Sequence, residues 1–185
     1  FGTSFSPECI TAGICRPVRL RAWNKARIVS IGYSQQHDFD EKIASVFIGG
    51  LLETSGESFD NLELNFRIYK ADGVDTEGFA YGIIPTLPDD IKCYSASKIK
   101  VTDDGAFSCQ IDIQEPELWY PNGMNPNSDE PTTPIYKIEA LLYSTDQANN
   151  TILDQWSANL GLRSLETVAI DDDENKLAIM CNGKR

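Results

Sequence analysis

The chain has 185 residues and a mass of 20.6 kDa, enough for one domain that buries roughly 70% of the surface its unfolded form exposes. Against 16 basic residues stand 28 acidic ones, and the resulting charge of −12 at pH 7 repels phosphates and anionic lipid, which excludes nucleic acid and membrane surfaces as partners. With 41% hydrophobic, 10% aromatic and 24% charged residues, the composition is that of a folding chain rather than a disordered one.

Phe1 rather than Met opens the chain, and no basic segment followed by an apolar run and a small-residue cleavage site is present, so the start is expected to be cut or processed. Extended segments are expected near 17–22 and 27–33. Residues 43–52 form a longer apolar run closed by Gly49-Gly50, which predicts a bulged strand. The clearest period of two follows: Leu62, Leu64, Phe66 and Ile68 alternate with Glu63, Asn65, Arg67 and Tyr69. After an expected strand near 97–102, Phe107, Cys109, Ile111 and Ile113 alternate with Ser108, Gln110, Asp112 and Gln114. Weaker alternation marks Tyr136-Ile138-Ala140-Leu142 and Trp156-Ala158-Leu160, and further strands are expected at 163–170 and 176–181. Asp72-Gly73, Asp103-Asp104-Gly105 and 146–150 supply turns.

No window carries the apolar stripe of an amphipathic helix, so parallel βαβ units are not expected. Short antiparallel strands about ten residues apart predict an all-β, immunoglobulin-like antiparallel β-sandwich whose core takes Leu62, Leu64, Phe66, Ile68, Phe107, Ile111, Ile113 and Trp156. The stretch from Trp119 to Pro134, with prolines at 121, 126, 131 and 134, is long for a hairpin loop and reads as functional or flexible. At the C-terminal side, Asn182-Gly183 is a strong hairpin signal, but only Lys184 and Arg185 follow it. The strand at 176–181 is therefore expected to lack its partner, and the chain to be a piece of a longer protein.

Candidate chemistry is sparse. His37, the single histidine, stands among Gln35, Gln36 and Asp38 in what reads as a solvated loop, and one imidazole builds neither a metal site nor a catalytic triad with a choice of base. The run Asp171-Asp172-Asp173-Glu174 lacks the spacing of a calcium loop and reads as a solvated turn. Cys9, Cys15, Cys93, Cys109 and Cys181 are odd in number and scattered, against both a disulfide scaffold and a zinc site, and they favour a reducing, cytoplasmic compartment over a secreted one. No nucleophile elbow or phosphate loop is present, so no catalytic residue, metal ligand or cofactor is assigned. Trp119 and Tyr120, next to Pro121-Asn122-Gly123, are aromatics that could stack on sugar rings, as in a self-standing carbohydrate-binding module, or plug an end of the sandwich or an interdomain contact. A cell-surface adhesion sandwich is a third reading.

Three stretches carry a family resemblance. Leu118-Trp119-Tyr120-Pro121-Asn122-Gly123, then Pro134-Ile135-Tyr136-Lys137-Ile138-Glu139-Ala140-Leu141-Leu142, then Leu160-Gly161-Leu162-Arg163-Ser164-Leu165-Glu166 resemble, in order and spacing, the immunoglobulin-like sandwich domain of glycoside hydrolase family 2. Phe1-Gly2, Ser6-Pro7 and Thr11 to Val18 look like the closing strands of the jelly-roll sugar-binding domain that precedes it, most typically in the β-mannosidase-like branch. Residues 177–185 resemble the entry into that family's (β/α)8 barrel, whereas 35–110 carry no matching motif.

The resemblance implies boundaries at 1–25 for the end of the jelly roll, 26–166 for the sandwich and 167–185 for the first strands toward the barrel. It implies a parent that is a retaining exo-glycosidase whose acid/base and nucleophile glutamates sit in the barrel, so this chain would be inert by itself, with the flanking domains and the parent's carbohydrate substrate as its partners. Ser4 and Phe5 fall where β-mannosidases carry part of a Trp-Asp-Trp that contributes to the sugar pocket. Only Phe5 keeps an aromatic, and the absence of a carboxylate at Ser4 puts mannoside specificity in question. Trp119, Tyr120, Asn122 and Arg163 are the remaining candidates for a sugar or interdomain contact.

Overall fold

The computed structural model describes residues 13, 14, 18, 20–56, 58–71, 87, 89, 91–121, 123–125, 134–145, 151–170 and 173–184, with side chains left aside at 173–176. Nine strands run β1 Ala26–Asp38, β2 Ile43–Thr54, β3 Leu62–Lys70, β4 Cys93–Ala96, β5 Ala106–Gln114, β6 Tyr136–Ser144, β7 Thr151–Leu160, β8 Leu165–Ile170 and β9 Asp173–Cys181, and a single 3-10 turn, Phe59–Asn61, is the only helical piece among the described residues. Every pairing is antiparallel. One sheet has the order β1-β2-β5, the second β4-β3-β6-β7, and β8-β9 form a separate two-stranded ribbon. The first two correspond to the A-B-E and C-F-G sheets of an immunoglobulin-like sandwich, with β4 added beside β3.

The alternating residues of β3 and β5 face one another across the sandwich. Leu64, Phe66 and Ile68 meet Phe107, Ile111 and Ile113, joined by Val46 and Ile48 of β2 and Ile138, Ala140 and Leu142 of β6, and the rings of Phe66 and Phe107 pack at 5.8 Å. Leu62 and Trp156 are only half-buried and pack against this core. Cys109 does the same rather than joining the fully buried set.

Several expected elements differ. The bulge predicted in β2 lies in its neighbour: Ile28 pairs with Leu52 and Ser30 with Leu51, leaving Val29 as the extra residue of β1. Gly50 is the complement of that bulge, because a Cβ there would sit 2.1 Å from the Ser30 carbonyl oxygen and 2.7 Å from Phe107 Cζ. Residues 20–22 are not a strand, 17 and 19 lie outside the described residues, and 97–102 contribute only a bridge from Val101 to Phe107. The latter segment carries the chain from β4 in one sheet to β5 in the other. Its backbone is held by Ile99 N–H to Leu64 O at 3.0 Å and by Lys98 at φ +54°, with its amide bonded to Asn65 Oδ1, which is incompatible with a regular ladder. The expected strand at 163–170 begins at Leu165, and Asp173 and Glu174, expected in a turn, already belong to β9. Nor does 176–181 lack a partner: β9 pairs along β8 from Leu165↔Cys181 to Ile170↔Asp173. Asp103-Asp104-Gly105 is a turn, closed by Gly105 N–H to Thr102 O at 2.8 Å with Gly105 at φ +85°. The expected turns at 72–73 and 146–150 lie outside the described residues.

One face of the second sheet departs from simple alternation. On β6 the outward residues Lys137, Glu139 and Leu141 are buried along with the inward ones. Glu139 sits opposite Arg67 in the ladder, pairs with it through Oε2, accepts from Tyr69 Oη at 3.0 Å and lies 3.5 Å from Lys137 Nζ. A carboxylate shared by two cations and a phenol satisfies the requirement that buried charge be paired.

Candidate functional site

Of the residues singled out in the sequence, Trp119, Arg163 and His37 come together at one end of the sandwich. After β5 the chain turns at Glu115, φ +52°, whose amide donates to Lys42 O at 2.9 Å, and runs across the sheet ends as a strap. Glu117 N–H donates to Tyr136 Oη at 3.1 Å, and Trp119 N–H donates to Leu162 O at 2.8 Å. The strap ends in a turn in which Met124 N–H donates to Pro121 O at 3.0 Å, and Gly123 at φ +79° supplies the left-handed residue. Tyr120 is buried and Trp119 half-buried.

Trp119 is already occupied by its own chain. The Arg163 guanidinium lies 4.7 Å from the ring centroid, within cation–π range, and the backbone of Gly161 comes so close that a Cβ there would be 3.0 Å from Trp119 Cγ. Its carbonyl accepts from Asn182 Nδ2 at 2.9 Å. Asn182, at φ +51°, also accepts the Ser164 amide on Oδ1 at 2.9 Å and donates its own amide to Ser164 O at 3.0 Å. The Asn-Gly turn is thus a clamp that fastens the β8–β9 ribbon to the strap. The sequence signalled the left-handed backbone of Asn182 but held no signal for the use of its side chain.

Gln35 is a second junction residue that sequence reasoning missed. Its Oε1 accepts the Arg163 amide at 3.0 Å and its Nε2 donates to Gly161 O at 3.2 Å. Because Oε1 is therefore an acceptor, His37 Nε2, 2.9 Å away, must carry the proton and donate to it. His37 lies in β1, not in a loop, and stacks on Phe39 with centroids 5.9 Å apart. Burial pushes its pKa below the usual histidine value, which keeps the ring neutral. Its ordered partner is an amide, so the arrangement positions the Gly161–Arg163 segment and does not activate a nucleophile.

Arg163 is held within this chain by its amide, which donates to Gln35 Oε1, and by its guanidinium over the Trp119 ring. Ser4, Phe5 and Asn122 lie outside the described residues. Among the described residues no group of three or more His, Cys, Asp or Glu side chains is placed to hold a metal ion, and no helix is long and apolar enough to cross a membrane.

No protein-family model matches the chain. Over 176 residues, 95% of its length, it is 27% identical to β-mannosidase B of Aspergillus terreus, of which it spans 17%. Among solved structures it superposes on a Bifidobacterium dentium β-glucuronidase with a TM-score of 0.54 and 15% identity, covering 86% of this chain and 21% of that one. A Parabacteroides merdae β-glucuronidase gives 0.53 and 15%, covering 87% and 16%. The two structural matches speak for the fold; the relative speaks for the sequence, and each extends far beyond the matched segment. Together with the three ordered motifs, they make this chain one that resembles the immunoglobulin-like sandwich domain of glycoside hydrolase family 2, on its β-mannosidase side.

Proposed function

We propose that this chain is the non-catalytic sandwich of a larger, β-mannosidase-like retaining exo-glycosidase. In this reading 1–25 close a jelly-roll sugar-binding domain, 26–166 form the sandwich, and 167–185 lead into a (β/α)8 barrel that carries the two catalytic glutamates. The observation that carries it is the 27% identity running through 95% of the chain while spanning 17% of a β-mannosidase. The clamp supports it physically: a spacer must hold its neighbours in fixed register, and Asn182, Gln35 and Arg163 lock the ribbon and the strap with directional bonds rather than greasy contact. Ser4 and Phe5 would border the parent's sugar pocket, and Trp119, Tyr120, Asn122 and Arg163 the interdomain contact.

The test is enzymatic. The isolated chain is expected to release no nitrophenol from aryl β-mannosides, β-glucuronides or β-galactosides, whereas the full-length parent hydrolyses the β-mannoside and loses that activity when 26–166 is deleted. Turnover by the isolated chain, or a parent without glycosidase activity, would overturn the reading.

A further inference from the structure

The chain has three tryptophans, and Trp119 is engaged by Gly161 and Arg163. The other two, Trp23 and Trp156, line one open cavity of about 390 Å³ at the opposite kind of boundary, the seam where β1 of the first sheet meets β7 of the second. Its volume falls in the range of roughly 300–1,000 Å³ typical of small-molecule sites.

The polar groups in that cavity are held in place. Asp154 Oδ2 accepts the Ile28 amide at 2.8 Å across the seam, and Oδ1 accepts the Gln155 amide at 2.9 Å. The carboxylate owes its position to an irregularity in β7: Leu142 pairs with Asp154 and Tyr143 with Ile152, so that Leu153 is extra and Asp154 is turned toward β1. Arg27 stacks 5.0 Å from the centroid of Trp23 and pairs with Glu53 at 2.6 Å. Trp156 is braced by an edge contact with Tyr33, centroids 6.3 Å apart. Exposed Arg21 completes the rim.

We propose that this seam cavity is a binding subsite for a short neutral saccharide. Trp23 has Arg27 over its ring and Trp156 has Tyr33 beside it, so the apolar surface offered to the C–H faces of a pyranose is the part of each indole that lines the cavity. An anchored carboxylate, a guanidinium and the Gln155 carboxamide present acceptors and donors in the mixture that sugar hydroxyls require. Arg21 and Arg27 are balanced by Glu53 and Asp154, and the chain as a whole carries −12, so neither a phosphate nor a uronate is favoured over a neutral ring. No contiguous motif encodes this cavity: its two indoles are far apart in the chain, Trp23 just before β1 and Trp156 in β7. The subsite goes beyond the spacer reading and does not depend on the parent's activity.

The experiment titrates the 185-residue chain with β-1,4-mannobiose, cellobiose and lactose, following indole fluorescence and the heat of binding. A saturable response to at least one disaccharide is expected. Trp23→Ala should weaken it about ten-fold, the value of one aromatic stacking contact. Arg21→Ala, at an exposed residue outside every strand, should weaken it as well while leaving thermal unfolding unchanged. No saturable response to any of the three, or binding that survives both substitutions unaltered, would overturn the proposal. Absence of hydrolysis in the same samples bears only on the spacer reading, so the two fail separately.

Discussion

The side-chain amide of Asn182 donates to the main-chain carbonyl of Trp119 at 2.9 Å, across 63 positions of sequence. Asn182 is buried, sits at φ +51° and uses Oδ1 and its own amide on Ser164, so one residue supplies the turn geometry of the ribbon and its attachment to the strap. The two roles separate by substitution. Asn182→Asp keeps the Oδ1 acceptor but presents a carboxylate oxygen to the Trp119 carbonyl, and should cost about 2 kcal/mol, the penalty of an unsatisfied buried pair. Asn182→Gly keeps the left-handed backbone without strain yet loses both side-chain bonds, and should cost a similar amount. Urea unfolding of the two variants beside the parent chain checks this, and a Gly variant as stable as the original would show that only the backbone conformation matters.

Gly50 and Gly32 provide a matched pair of glycines on neighbouring strands. At Gly50 an added Cβ meets the Ser30 carbonyl at 2.1 Å, a backbone atom that can withdraw only if the β1 bulge at Val29 is rebuilt, whereas at Gly32 nothing lies within 4 Å. Gly50→Ala is expected to destabilise by about 3 kcal/mol or to prevent folding, as overpacking against backbone does. Gly32→Ala should be neutral or slightly stabilising, since it only restricts the unfolded chain. Thermal melts of both variants decide it: equal melting temperatures would place the close contact in doubt.

What was legible in the sequence was whatever alternation and turn chemistry encode. Leu64, Phe66 and Ile68 against Phe107, Ile111 and Ile113 could be placed because each strand has one wet face and one dry one. Where that condition failed, so did the reading. Lys137 and Glu139 look like solvated residues on the polar face of β6, yet they are buried because a neighbouring strand supplies Arg67 and Tyr69 as partners, a fact of register. β4 is four residues long with mixed exposure and leaves no periodic trace. Gln35 and Asp154 act through side-chain bonds to main-chain groups more than a hundred positions away, at Arg163 and Ile28, and such pairings have no local signal.

The buried charge cluster gives a test with a direction. Glu139 is 6% exposed and is the carboxylate shared by Arg67, Lys137 and Tyr69. Glu139→Gln keeps the shape but removes the carboxylate charge that half-buried Arg67 and buried Lys137 share, and should destabilise by about 3 kcal/mol. The companion Arg67→Met, Lys137→Met, Glu139→Leu triple variant removes the charges together and should recover most of that loss. Equilibrium unfolding of both reports the comparison, and a single Glu139→Gln variant of unchanged stability would mean that the cluster is solvated in solution.

Alkaline pH should loosen the sandwich through two acids, the Cys109 thiol and the Tyr69 phenol. Burial pushes the Cys109 thiol from 9.0 up to about 11, and burial together with the neighbouring Glu139 carboxylate raises Tyr69 well above its ordinary 10.0. In both, the folded state holds its proton more tightly than the unfolded chain does. The stabilisation is therefore fully present below the unfolded values and is lost as pH climbs through the folded ones, beginning near pH 9 with Cys109 and continuing above pH 10 with Tyr69. Unfolding midpoints in urea measured from about pH 8 to about pH 11 should fall progressively, and Cys109→Ala should flatten the first part of the decline while Tyr69→Phe flattens the later part. The same burial makes Cys109 a poor nucleophile, so alkylation followed by mass spectrometry at neutral pH should label exposed Cys93 well ahead of it. Equal labelling of the two thiols in the folded chain would contradict the packing of Cys109 against the core.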